Sequence, residues 1–539
     1  MKKTFLLSCL MLAAMPVMVA YTGHVYVDKN KNGVFDQSEK PLAGIKVSDG
    51  LNVVETAADG SFTLPGHERE RFIFITTPSG YKTFNRHYHK IEKKQSGYDF
   101  GLIPYSGRIR KDGSHRYIHI TDTEIFNTEN HADWVNNVRD YARNEQAAFI
   151  IHTGDICYEK GLKAHIKLMN TENMDCPVFY CIGNHDLVKG KYGEELFESI
   201  YGPVYYSFDA GNVHYVVTPM PGGDHAPGYT SDDVCRWLKN DLAHIRPGTP
   251  VVVFNHDLLT YEDTFIFKSK NAGSINLNEY NLKAWVYGHW HINYMKKQGD
   301  VYSVCTSSLD KGGIDHSTTA FRVMHVDSKG DFTSELRYTY LDKNICIASP
   351  AGVMASGVLP VAVNVYSSVS PVREVLYTCL ADGKPVLKNK RLLQSTDWSW
   401  NGELPLSHKY VGKELTLRVT ARFNNGEIAE AESNFICRTE KAVPLFSADW
   451  DNLSGNAKHS APVSAPLNLP LQLAWTNNVG ANLYMTSPLI HKGKVIVASV
   501  DEDLKGAGHV YALNGKDGTI LWSCPVRNSI KNSIAVGGD

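Results

Sequence analysis

Val178-Phe179-Tyr180-Cys181-Ile182-Gly183-Asn184-His185-Asp186 joins an apolar run of strand character to a turn bearing an amide, an imidazole and a carboxylate. The same arrangement recurs on both sides of it. Tyr117-Ile118-His119-Ile120 precedes Asp122, and Ala148-Phe149-Ile150-Ile151 precedes Gly154-Asp155. Further on, Val251-Val252-Val253-Phe254 precedes Asn255-His256, and Trp285-Val286-Tyr287 precedes Gly288-His289-Trp290-His291. Such β runs alternate with helical patterns from Tyr117 to about Val326, the rhythm of an α/β fold. In an open α/β sheet, ligands bind beyond the carboxyl ends of the strands. Five acid, His or Asn clusters at strand ends therefore converge on one rim.

Each cluster has a plainer explanation when taken singly. A lone Asp after a strand caps a helix, a lone His is commonly structural, and Gly-Asp and Gly-Asn make ordinary turns. Five in succession, all at strand ends, are the donor set of a metal centre: Asp122, Asp155, Asn184, His256, His289 and His291.

With those motifs in place, residues from roughly 115 to 327 resemble a calcineurin-like metallophosphoesterase domain. Gly183-Asn184-His185-Asp186 and Gly288-His289-x-His291 are together the specific part of the likeness. The stretch Tyr205 to His214 resembles the strand pair of that family's second sheet, and Trp237-Leu238-x-x-Asp241-Leu242 resembles one of its helices. The resemblance implies two metal ions sharing Asp155, one also held by Asp122 and His291, the other by Asn184, His256 and His289. Carboxylate, amide and imidazole donors suit Mn, Fe or Zn, divalent or trivalent, better than an all-oxygen Mg²⁺ site. It further implies a metal-bridging hydroxide as nucleophile, His185 as general acid for the leaving alkoxide, and Asp186 as the group orienting His185.

Two positions depart from the common family pattern. Its first motif reads Asp-x-His, whereas here it is Asp122-Thr123-Glu124; its second ends in Asp where this chain has Tyr158. Purple acid phosphatases lack that His and supply a tyrosinate at the second position. Three readings follow: Tyr158 ligates Fe³⁺; Glu124 replaces the His while Tyr158 lines the site; or Glu124 faces away and the first metal binds weakly.

The flanks read as β modules. Residues 21–105 carry short alternating strands and the run Asp28-Lys29-Asn30-Lys31-Asn32-Gly33-Val34-Phe35-Asp36-Gln37-Ser38-Glu39. Oxygen donors at Asp28, Asn30, Asn32, Asp36 and Glu39, the Val34 carbonyl, and Gly33 at the sixth position have the spacing of a Ca²⁺ loop. The module resembles calcium-stabilised β-sandwiches of bacterial surface proteins, with the ion structural. Residues 348–440 resemble an immunoglobulin-like sandwich, in which Trp398 and Trp400 should share one strand face and serve packing or glycan stacking. Residues 444–539 include Gly508 to Trp522, similar to one blade of a quinoprotein-type β-propeller. One blade does not close a propeller, so no quinone is implied. The expected architecture is multidomain: an α/β metallophosphoesterase sandwich of two mixed sheets flanked by helices at 110–345, between all-β modules.

Composition sets the outer limits. A chain of 539 residues exceeds one core, and a net charge of −2 gives no basis for nucleic acid or an anionic membrane as a general partner. Met1-Lys2-Lys3 followed by the apolar run Phe5–Ala20 reads as a secretory signal over 1–20, placing the protein in the periplasm or at the cell surface. Leu6-Leu7-Ser8-Cys9 has the outline of a lipoprotein box, but few apolar residues precede it. No later segment is apolar enough to span a bilayer. The nine cysteines after Cys9 show no paired metal or redox spacing, and oligomeric state is not legible.

The expected activity is metal-dependent hydrolysis of phosphate mono- or diesters outside the cytoplasm. A narrower alternative is a cyclic-nucleotide or nucleotide phosphodiesterase. An alternative of another class is a surface binding or adhesion protein with a degenerate phosphoesterase domain.

Overall fold

The strand and helix patterns between residues 115 and 338 fold into two facing sheets with helices outside. The computed structural model describes residues 20–341, 343–439, 449–461, 471–483, 486–500, 508–527 and 529–538. The secretory-signal reading, including Cys9, lies outside these residues, Ala20 apart.

One sheet has five strands in the order Val178–Tyr180, Phe149–His152, His115–Ile120, Ala320–Val326 and Phe332–Tyr338. The first three run parallel, and the last two are added antiparallel. The other sheet has six, ordered Tyr206–Ala210, Val213–Val217, Val251–Phe254, Leu282–Tyr287, Val301–Cys305 and Tyr294–Gln298. Its middle four strands are mutually parallel. Parallel strands are buried on both faces, which is why they read as near-continuous apolar runs; Val251–Phe254 and Phe149–His152 are buried throughout.

Aromatic rings fill the space between the sheets. Tyr117 stacks on Phe149 at 4.7 Å between centroids, and Phe208, Tyr215 and Phe254 meet the same cluster. The helix Ala132–Asn144 covers the five-stranded sheet with Trp134, Val138 and Tyr141. The helix Ser231–Ala243 covers the other with Cys235, Trp237 and Leu238. Its start is fixed by a capping box, Thr230 accepting from the Asp233 amide and Asp233 from the Thr230 amide, a device of about 1 kcal/mol.

The N-terminal module packs two small sheets around Val25, Val47, Phe62, Ile73, Ile75 and Leu102. It is joined to the six-stranded sheet, since the Asp209 amide donates to Thr77 O and Thr76 shares a hydrogen bond with Ser207. Arg71 reaches Glu194 and Glu198 at 2.8 and 2.9 Å. In the Asp28–Glu39 loop, Asp28 accepts from the Asn32 and Gly33 amides, and Asn30 and Asn32 donate to Asp36. Glu39 accepts from the Lys29 and Asp36 amides, closing the loop.

Residues 344–438 form a four-stranded and a five-stranded sheet around Val363, Val375, Trp400, Leu417 and Phe435. The expectation that both tryptophans share one strand face is corrected. Trp400 lies in the strand Ser399–Pro405 and is buried, whereas Trp398 precedes it and packs edge-on against Tyr338. Beyond them, Leu489–His491, Lys494–Ala498, Gly508–Asn514 and Ile520–Val526 pair in sequence order as an antiparallel meander. The nine cysteines after Cys9 are all free thiols.

Candidate metal centre

All five clusters leave their strands at the same end of the two sheets, which brings together residues up to 169 positions apart. Asp122 is fully buried. Its Oδ2 accepts from Thr121 Oγ1 at 2.7 Å and from the His289 amide at 3.0 Å. Its Oδ1 faces His291 Nε2 at 3.2 Å. Asp155 Oδ1 accepts from the His185 amide, and Oδ2 lies 3.1 Å from His256 Nε2. His256 Nδ1 donates to Thr153 O at 2.7 Å, which leaves Nε2, on the Asp155 side, as the nitrogen available to a metal. Ligand atoms of Asp155, His256 and His289 all lie within 4.8 Å of one another.

Backbone strain concentrates on this rim. Asp122, Asp155, His289 and His291 have φ between 50° and 64°, and Glu124, Cys157 and Tyr158 are also in the left-handed region. Each such residue costs on the order of 1–3 kcal/mol, and the strain is spent on turning donors inward. Two motif glycines make the crowding tolerable. A Cβ on Gly183 would stand 2.2 Å from Asp155 Oδ1, and one on Gly288 1.9 Å from Thr121 Oγ1.

The residues fit the metal ions they resemble ligands for. Asn184 Oδ1 is buried without a hydrogen-bond partner, and Asp122 Oδ1 and His256 Nε2 meet only other members of the set, His291 at 3.2 Å and Asp155 at 3.1 Å, a crowding of buried polar atoms that an ion at the same donors relieves.

Of the two departing positions, Glu124 turns inward. Its Oε1 lies 3.6 Å from His291 Nε2, and its carboxylate groups with Asp155 and the Cys157 thiol within 4.8 Å. Lys311 holds it there, donating to Glu124 Oε2 at 2.8 Å and to its carbonyl at 3.1 Å. Tyr158 is 43% exposed, its ring near His185 at 5.3 Å and near Phe126 at 6.3 Å.

The role expected of Asp186 is corrected. Asp186 is buried and spends both oxygens on backbone amides, accepting from Cys157 and Gly183 at 2.9 Å each. Burial, with the Asp155 charge, pushes its carboxyl up to about 7. It braces two ligand-bearing turns and does not touch His185. The partner of His185 is Asp224, whose Oδ2 lies 2.8 Å from Nδ1. Burial disfavours the charged ring, but the Asp224 hydrogen bond and the Asp155 charge outweigh it and raise the His185 pKa. Asp224 and Lys311 were both missed in the sequence. Gly222-Gly223-Asp224 was the available signal: the Asp224 amide donates to Asn184 O, and a Cβ on Gly223 would stand 2.3 Å from that oxygen.

Residues 115–293 match the family model of calcineurin-like phosphoesterases, and residues 29–104 match that of the N terminal of calcineurin-like phosphoesterase. Residues 29–104, expected to resemble calcium-stabilised sandwiches of surface proteins, thus match the N terminal of calcineurin-like phosphoesterase. Purple acid phosphatase 13 of Arabidopsis thaliana is 26% identical over 215 residues, 37% of this chain and 36% of that protein. This chain therefore spans about a third of the length of that relative. Among solved structures, an archaeal phosphodiesterase is 13% identical with a TM-score of 0.22, covering 41% of this chain and 99% of that one. Vacuolar protein sorting 29 of Cryptosporidium parvum is 10% identical with a TM-score of 0.22, covering 54% and 99%.

Proposed function

We propose that the protein is a dinuclear metal-dependent hydrolase of phosphate mono- or diesters acting outside the cytoplasm. The observation that supports this best is the set of buried ligand atoms on Asp122, Asn184 and His256 around Asp155: Asn184 Oδ1 has no hydrogen-bond partner, and the others meet only members of the set. Asp122, Asp155 and His291, with Glu124, would hold one ion, and Asp155, Asn184, His256 and His289 the other. Bound there, the ions supply activated water and offset negative charge at phosphorus. The chain's own part is positional and acid–base. Thr153 O fixes the His256 tautomer, Thr121 and the His289 amide fix Asp122, and the His185 amide fixes Asp155. His185, charged through its bond to Asp224, donates a proton to the departing alkoxide oxygen.

The inward Glu124, tied by Lys311 and 3.6 Å from His291, supports Glu124 as the replacement for the missing family His. Tyr158 then lines the mouth. Visible tyrosinate-to-iron absorption in the metal-replete protein is the result that would reverse this assignment. Export and a structural Ca²⁺ in the Asp28–Glu39 loop belong to the same proposal, and N-terminal sequencing of secreted protein tests the first.

Asp155→Ala and Asn184→Ala are expected to remove hydrolysis of 4-nitrophenyl phosphate and to lower bound metal. Wild-type turnover in either variant refutes the site. Two transition-metal ions per chain support an enzyme; one or none supports the binding-protein alternative.

A further inference from the structure

Four large apolar side chains are left exposed on residues 115–338, and each is tied to a residue of the metal rim. They are Phe126 (57% exposed), Tyr158 (43%), Tyr261 (75%) and Ile314 (74%). Scattered exposed apolar residues need no explanation, but a contiguous group marks a binding surface. Each of these four is attached to the metal rim. Phe126 follows Glu124 by two residues, and its ring lies nearly parallel to that of Tyr158, at 19° and 6.3 Å. Tyr158 in turn lies 5.3 Å from the His185 ring. On the other sheet, Tyr261 lies nearly parallel to Trp290, at 20° and 5.9 Å. Trp290 stands between His289 and His291 in the chain, and the Ile314 amide donates to His291 O.

We infer that these two ring pairs form the substrate's organic subsite, and that the preferred esters carry a flat π ring on the group bonded to phosphate. The inference rests on the phosphoesterase reading and deepens it. The pairs stand on loops from different sheets, beside opposite members of the donor set. In this proposal a phosphate held at the donors has its ester group against one of the pairs. Near-parallel exposed rings offer their faces to a planar guest, and stacking is tolerant of ring identity because every such ring has a π face. Three of the four exposed side chains are aromatic, and a fourth ring, Trp290, supports Tyr261. That composition suits a flat ring better than an alkyl chain, which asks only for apolar area. A nucleobase and a simple aryl group share the required chemistry.

The test uses the full chain with metal bound and four esters: adenosine 5′-monophosphate, 4-nitrophenyl phosphate, glycerol 2-phosphate and octyl phosphate. In the wild type, kcat/KM is expected to favour the two ring-bearing esters. Phe126→Ala or Tyr261→Ala should raise KM for at least one ring-bearing ester about tenfold more than for glycerol 2-phosphate, with bound metal unchanged. Trp522→Ala, an exposed aromatic of the C-terminal meander, should leave that ratio where it was. A larger effect on adenosine 5′-monophosphate assigns a nucleobase, and one on 4-nitrophenyl phosphate a smaller aryl group. Equal changes for all esters, no change, or a preference for octyl phosphate overturns the inference. If none of the four is turned over, the monoesterase part of the phosphoesterase reading fails by itself. Tryptophan-fluorescence titration then decides the subsite: saturable binding of adenosine 5′-monophosphate but not glycerol 2-phosphate sustains it, and equal or absent binding overturns it.

Discussion

Asp224 Oδ2 lies 2.8 Å from His185 Nδ1, and it reaches that position from a loop 39 residues further along the chain. The pair gives the proposed proton donor its charge and its orientation. Asp224→Asn keeps the shape but removes the charge. It is expected to slow hydrolysis of alkyl esters, which need a proton on the departing oxygen, by about a hundredfold. Aryl esters, whose phenolate leaves unaided, should slow far less. Steady-state rates on glycerol 2-phosphate and 4-nitrophenyl phosphate check this, and equal slowing of both would argue for a purely structural Asp224.

Lys311 and Glu124 make the second prediction. Glu124→Ala should reduce tightly bound metal from two ions to one per chain, read by elemental analysis after gel filtration. Lys311→Ala frees the carboxylate but leaves it in place, so metal content should persist while affinity at that site falls by about tenfold. Removing a group that hydrogen-bonds a metal ligand commonly has an effect of that size. Two tightly held ions in Glu124→Ala would remove Glu124 from the ligand set.

His214 predicts a pH dependence of stability away from the metals. It is fully buried between Asp209 and Asp241, at 2.7 and 2.8 Å, with Ser207 on Asp241 and Lys46 3.7 Å from Asp209. Burial pulls its pKa down, but the two carboxylates outweigh burial and raise it to about 9. The folded state thus holds the proton more tightly than the unfolded chain. That contribution, on the order of 2–3 kcal/mol, is complete below about pH 6.5 and is lost as pH rises through about 9. Urea unfolding from pH 6 to 10 should show the fall in wild type and a flatter profile in His214→Gln.

Calcium supplies the fourth prediction. The Ca²⁺ proposed for the Asp28–Glu39 loop is expected to raise the thermal midpoint of the full chain, because an ion that binds only the folded loop stabilises it by mass action. Asp28 is buried and anchors the loop through both carboxylate oxygens. Asp28→Ala should abolish the calcium-dependent shift, and an equal shift in wild type and variant would place calcium elsewhere.

By itself the sequence determined the order and chemistry of the centre. Strand period, buried parallel strands and the residues that end them are local properties, so the five strand-end clusters were legible from alternation and spacing, and the family resemblance singled out Asp122, Asp155, Asn184, His256, His289 and His291 within them. The departures at Glu124 and Tyr158 were legible too, but not their meaning. Only the tertiary structure turned Glu124 inward, since that depends on Lys311, 187 residues away. It likewise withdrew Asp186 from His185 and put Asp224 there, because Asp186 is adjacent in sequence yet its oxygens are captured by the Gly183 and Cys157 amides. Which aromatic rings stay exposed was equally invisible, as Phe126 and Tyr261 read no differently from Tyr117 or Phe254 until burial separates them. Identity fixes what a side chain is able to donate, and long-range packing fixes what it meets.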